Sequence, residues 1–234
     1  MMFDPWYWIA IGLGALVGMW AQAKVKSTFA KYSRLMTRSG MTGADVARRI
    51  LQQYGIHDVS VERVPGHLSD HYDPRTKTLR LSEPVHDQRS MAAFGVAAHE
   101  VGHAIQHAEG YGALKFRSAW VPVAQLGGNI SIFVIIAALF MGGASTMLGW
   151  NLGLLGLLLF ATTTVFTLVT IPVEFDASKR ALFALDQGGY VTGEELEGAK
   201  KVLDAAALTY VAAFVASLLQ LLYWASLFMG GRRE

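Results

Sequence analysis

Apolar and polar positions alternate along this chain on a long scale, as uncharged runs separated by two polar segments. A helix needs roughly 20 residues to cross a bilayer core of about 30 Å. The run from Trp6 to Ala23 is of that order. No charged residue occurs between Arg117 and Glu174, a distance too long for one crossing that fits two, from about Trp120 to Met141 and from about Leu148 to Ile171. Residues 142–147 would form the short uncharged turn between them. A fourth run lies between Asp204 and Arg232. The pattern predicts four transmembrane helices.

The polar segments carry shorter periods. Thr42-Gly43-Ala44-Asp45 has the form of a helix start, and Val46, Ile50, Leu51 and Tyr54 follow at helical spacing. Val59 to Glu62 alternates as a strand does. His71-Tyr72, the turn-former Asp73 to Thr76, and alternating Thr78 to Ser82 predict a hairpin leading into a strand. A helix follows from near Asp87 or Ser90. In the second polar segment, Pro172 and Val173 predict the opening of a helix from about Glu174 to Asp186, which Gly188-Gly189 ends. Thr192-Gly193-Glu194-Glu195 has capping-box form and starts another.

Composition and charge orient this layout. The 234 residues are 53% hydrophobic and 16% charged, well below the roughly 25% of a soluble domain. A net charge of +2 is too small to argue for nucleic acid. Of the 20 Lys and Arg residues, 14 lie between Lys24 and Arg117 and four between Lys179 and Lys201, so the positive-inside rule makes both polar segments cytoplasmic. Both termini then face outward, with Arg232 and Arg233 dissenting. Asp4 precedes the first apolar run and the basic residues follow it, the reverse of a secretory signal, so this run reads as a retained anchor. With no cysteine, a metal would have to be held by His, Asp or Glu.

The chemistry centres on His99-Glu100-Val101-Gly102-His103, of the form H-E-x-x-H. On a helix, His99 and His103 project from one face about a turn apart and suit one zinc ion, with Glu100 placed to take a proton from zinc-bound water. The bland alternative is a partly buried helix whose histidines bond to the core. His107 lies about 12 Å along the helix from His99, so all three cannot bind one ion. It reads as a surface or supporting residue. A third ligand is an upstream acid or histidine, or comes from Glu174 onward, because no Asp, Glu or His falls between Glu109 and Glu174. Two crossings return Glu174 to the face that holds His103, which favours it over an ordinary helix-terminal acid. Candidates to stabilise the oxyanion are His67, His71, Tyr72, Tyr111, Arg117 and Arg180. Thr78, Leu79, Arg80, Leu81 and Ser82, if an exposed edge strand, could pair with a substrate peptide. An ordinary strand is the alternative.

The run His99 to Gln106, together with Asp70-His71-Tyr72-Asp73-Pro74, Leu79 to Ser82 and Pro172 to Ser178, resembles the YugP-like family of bacterial membrane zinc metallopeptidases over nearly the whole chain. The architecture is also similar to the HtpX and CAAX prenyl protease group. That resemblance implies a two-His-one-Glu site on His99, His103 and Glu174. The wider group usually has an aspartate four residues after its ligand glutamate, orienting a ligand histidine. Here that position is Ser178 and the acid is Asp176, so Asp176, Ser178, Asp70 or another group must serve.

The sequence thus predicts a mainly α integral membrane protein with four transmembrane helices and a small cytoplasmic α+β zincin-like part. The boundaries are an anchor at 1–23, a catalytic segment at 24–117, a transmembrane hairpin at 118–173, a helical segment with the third ligand at 174–204, and a last span and tail at 205–234. The expected activity is a gluzincin-like zinc endopeptidase of the bacterial cytoplasmic membrane, acting from the cytoplasmic face on membrane or membrane-proximal proteins. Its expected partners are the lipid bilayer and a protein or peptide substrate, with no nucleic acid. The rivals are a specialised protease that matures one peptide, and a membrane scaffold or regulator with a structural zinc.

Overall fold

The computed structural model describes residues 5–230 as seven α-helices, a 3-10 turn and one three-stranded sheet; Asp4, Arg232 and Arg233 lie outside the described residues. The helices are α1 (Pro5–Tyr32), α2 (Gly43–Gln53), α3 (Glu83–His86), α4 (Met91–Ala108), α5 (Gly112–Phe140), α6 (Met147–Gln187) and α7 (Gly193–Gly230), and the strands are β1 (Ser60–Val64), β2 (His71–Asp73) and β3 (Thr78–Ser82). Four of the helices, α1, α5, α6 and α7, are long and apolar enough to cross a membrane. The chain divides into two units: an apolar one comprising the chain up to Trp20, Phe116–Ile171 and the chain from Thr209, and a mixed one comprising Ala21–Lys115 and Pro172–Leu208.

The apolar unit is built by close helix approach. At Gly153 a side chain would collide with the ring of Phe228, and at Gly14 with Ala216 at 3.1 Å. Hydroxyls in it turn inward to the backbone or to each other, as in Thr167 against Ser217 at 3.0 Å. Large apolar side chains such as Phe133, Phe140, Met147 and Leu158 point outward. That is the arrangement helices adopt where the surroundings are as apolar as their own side chains.

The mixed unit has an ordinary core. Val46, Ile50 and Leu51 of α2, Leu79 and Leu81 of β3, Phe94, Val101 and Ile105 of α4, Ala181 and Leu185 of α6, and Leu203 of α7 are all buried in it. Helix α2 starts where Thr42 to Asp45 indicated, and Thr42 and Asp45 form a capping box there, each side chain bonding the other's backbone N–H. Ser90 caps α4 by accepting from the N–H of Ala93 at 3.2 Å, while the N–H of Met91 donates to Leu35 at 2.9 Å. These bonds use donors that a helix start otherwise leaves unpaired.

Two expectations are corrected here. Thr78–Ser82 is not an edge strand: the sheet order is β1-β3-β2, with β3 parallel to β1 and antiparallel to β2. Thr78, Leu79, Leu81 and Ser82 are buried, and with strands on both sides the backbone of β3 has no row of groups left for a substrate peptide. Pro172 also does not open a helix; α6 runs through it for 41 residues. Proline costs the ladder one N–H, and the turns on either side, one of them in the apolar run, keep their bonds and carry the helix through.

Candidate metal centre

Helix α4 carries His99 and His103 one turn apart, and a sequence of small residues lets α6 come close to it. At Gly102 a Cβ would overlap the carbonyl oxygen of Ala177, so α4 and α6 touch backbone to backbone between the two histidines. Glu174 lies one turn before Ala177 on α6. Its carboxylate oxygen sits 3.2 Å from His99 Nε2 and 3.5 Å from His103 Nε2. The three residues offer donor atoms within 4.8 Å of one another, and the Glu174 side chain is only 2% exposed.

This donor set fits zinc. Two imidazole nitrogens and one carboxylate oxygen make three protein ligands, which leaves a fourth tetrahedral position for water or substrate. A buried carboxylate facing two ring nitrogens also needs a cation or protons between them, since lone pairs alone would repel.

The far side of each imidazole is held. Ser178 Oγ lies 3.1 Å from His99 Nδ1, so the residue four positions after Glu174 stands against a candidate ligand histidine although it is no aspartate. His103 Nδ1 lies 3.0 Å from Gln106 Oε1, and Gln106 Nε2 donates to the Val173 carbonyl and to Asp176 Oδ2, both at 2.8 Å. Asp176 thus reaches the site indirectly. Its carboxylate accepts from Arg180 Nε at 2.5 Å, and Arg180 also donates to Glu109 at 2.5 Å and lies over the ring of Tyr111. Gln106 was not singled out from the sequence. The available signal was its spacing, three residues after His103 and seven after His99, which puts a glutamine on the helix face of the two histidines.

Glu100 is buried on the same helix. Burial pushes its carboxyl above the ordinary range; His99 and His103 pull it down, and Glu174 and Asp70 add to the rise. For His103, burial works against the charged ring, but the neighbouring Glu174 and Glu100 outweigh it and raise its pKa. Asp70 is fixed by Ser82, whose N–H donates to it at 2.7 Å and whose hydroxyl also donates.

The remaining sequence candidates fall elsewhere. His71 is exposed, with Nδ1 2.9 Å from the Ser69 carbonyl, and His67 is exposed on the loop between β1 and β2. Tyr72 bonds His107 at 2.8 Å; both line a separate cleft of about 340 Å³ with Ile56, Val59 and Ala104. Arg180 is taken up by its two carboxylates, and Arg117 belongs to the apolar unit.

Helices long enough to cross a membrane, together with a buried His-Glu-x-x-His helix completed by a distant glutamate, define a metalloprotein of the zinc-peptidase kind. The chain belongs to the family described as "Putative neutral zinc metallopeptidase", whose model matches residues 7–229. Zinc is that family's metal, and a peptide or protein is the substrate it implies. The chain is also 47% identical over 225 residues to the "Putative membrane protease YugP" of Bacillus subtilis (strain 168), covering 96% of each chain. No solved structure matches.

Proposed function

We propose that this protein is a zinc-dependent endopeptidase of the bacterial cytoplasmic membrane, gluzincin-like in its ligands, which cleaves membrane or membrane-proximal proteins at the cytoplasmic face. The observation that carries this reading is the convergence of His99, His103 and Glu174 beside a buried Glu100. In this reading residues 1–23, 118–173 and 205–234 are the membrane part. Residues 24–117 and 174–204 form the cytoplasmic zincin-like part, an orientation supported by the 18 Lys and Arg residues those two segments carry between Lys24 and Lys201.

His99, His103 and Glu174 would hold the metal. A bound zinc ion supplies Lewis acidity, acidifying the attacking water and polarising the scissile carbonyl. Glu100 takes the proton of that water and delivers it to the departing amine. A carboxyl whose pKa burial has raised holds a proton longer than an exposed one, which suits both halves of that transfer. Ser178 and Gln106 keep the two imidazoles facing Glu174 while this happens.

The test is zinc content and casein digestion by the full-length protein in detergent, wild type against Glu100→Gln. Both proteins should retain zinc, and the variant should lose 10²–10⁴-fold in rate, the range of a general acid–base residue. Equal cleavage by the two would remove Glu100 from the mechanism. Zinc bound by both with cleavage by neither would favour a structural metal.

A further inference from the structure

The two ligand histidines are held by partners of different chemistry. Ser178 carries a hydroxyl, which donates or accepts as its neighbour requires, so it leaves open which nitrogen of His99 bears the proton. Gln106 allows no such choice. Its nitrogen sits 2.8 Å from each of two groups that only accept, the Val173 carbonyl and the Asp176 carboxylate. Turning the amide over would break both bonds and set oxygen against oxygen in a fully buried place. The Gln106 oxygen therefore faces His103, and because it only accepts, Nδ1 of His103 must donate.

We propose that Gln106 is a positioning residue that fixes the proton of His103 on Nδ1 and so presents the Nε2 lone pair to the metal, with Asp176 and Arg180 keeping the amide from turning over. His103 is then a ligand set before the metal arrives, whereas Ser178 permits either tautomer of His99. The arrangement also couples the two ligand helices. Gln106 is on α4, while its acceptors stand immediately before and two residues after Glu174 on α6. Arg180 closes the chain of bonds back to Glu109 at the end of α4.

The proposal rests on the reading that this group holds zinc, and the experiment separates the two. Zinc affinity is measured by competition with a chromophoric chelator on the full-length protein in detergent. The ring tautomers of the zinc-free protein are read from ¹⁵N-histidine spectra. A wild type that binds no zinc sinks the metal reading itself. If the wild type binds zinc, Gln106→Leu should bind it 10–100-fold more weakly, the usual cost of losing a partner behind a ligand. At a pH where the ring is neutral, His103 of this variant should also show a share of the Nε2–H tautomer that the wild type lacks. Gln106→Met keeps a long side chain but has no oxygen to accept from Nδ1; it should show the same loss of affinity and the same tautomer change, and it carries the test if Gln106→Leu fails to fold. Wild-type affinity in a folded variant, or a neutral His103 with its proton on Nε2 in the zinc-free wild type, would each overturn the proposal.

Discussion

Helix α6 is approached by a glycine in each of the two units, and the two contacts differ in what surrounds them. In the mixed unit Gly102 of α4 meets the carbonyl of Ala177; in the apolar unit Gly127 of α5 meets that of Leu159, 2.7 Å from where its Cβ would lie. Beside Gly102 stand His99, His103 and Glu174, with Ser178 and Gln106 behind them. Beside Gly127 stand Thr162, whose hydroxyl donates to Leu159, and Trp120, whose ring N–H donates to the Thr162 carbonyl at 3.0 Å. The same steric device thus serves two ends. Near Gly127 it brings two apolar helices into van der Waals contact. Near Gly102 it spaces the two helices that carry the candidate ligands.

The sharpest break of this comparison is at the ligand itself. Glu174→Ala removes one of three donors but none of the helix contact at Ala177, so α4 and α6 should stay packed. Zinc affinity should fall by more than the 10–100-fold expected for a partner behind a ligand, and casein cleavage should vanish with it. Chelator competition and a circular-dichroism melt of the zinc-free protein check this. Undiminished zinc would move the third ligand elsewhere.

Gly102→Ala should come next. A methyl group there must displace a carbonyl rather than the end of a flexible side chain. Alanine gains about 1 kcal/mol of helix propensity over glycine, while overpacking costs typically 1–3 kcal/mol, so stability should fall or barely change. The metal is more sensitive. Any shift of α6 carries Glu174 and Ser178 with it, and zinc affinity should drop 10-fold or more. A Gly102→Ala protein with wild-type affinity would show that the helix spacing does not set the site.

How much of this was legible in the sequence follows the range of the forces involved. The apolar helices and the capping boxes rest on local pattern, and α1, α2, α4 and α5 begin or run where Trp6, Thr42, Ser90 and Trp120 indicated. The meeting of Glu174 with His99 and His103 was legible from chemistry and crossing number, since so few acids follow Glu109. The place of β3 was not. Thr78 to Ser82 reads the same as a centre or an edge strand, and only the return of β1 alongside it decides. Pro172 misled for a related reason: its local preference was outweighed by the helix continuing on both sides. Gln106 escaped because its role depends on Val173 and Asp176, which lie some seventy residues away along the chain.

The smallest expected effect is also the cleanest control. Gly127→Ala places a methyl group against the Thr162 hydroxyl and the Leu159 carbonyl, and about 1–3 kcal/mol of overpacking against about 1 kcal/mol of helix propensity should leave its stability lower or barely changed, as for Gly102→Ala. Nothing near it bears a metal-binding lone pair, so zinc affinity should stay at the wild-type value. Gly12→Ala on α1, where a Cβ meets nothing within 4 Å, should be neutral or stabilise by up to about 1 kcal/mol through helix propensity alone. Thermal melts in one detergent, paired with chelator competition, read all three glycines on the same two axes. The expected pattern is a loss of zinc affinity for Gly102→Ala alone, stability lower or barely changed for both Gly102→Ala and Gly127→Ala, and a loss of neither for Gly12→Ala. If Gly127→Ala weakened zinc binding as much as Gly102→Ala did, the spacing of α4 and α6 would no longer be a local property of the Gly102 contact.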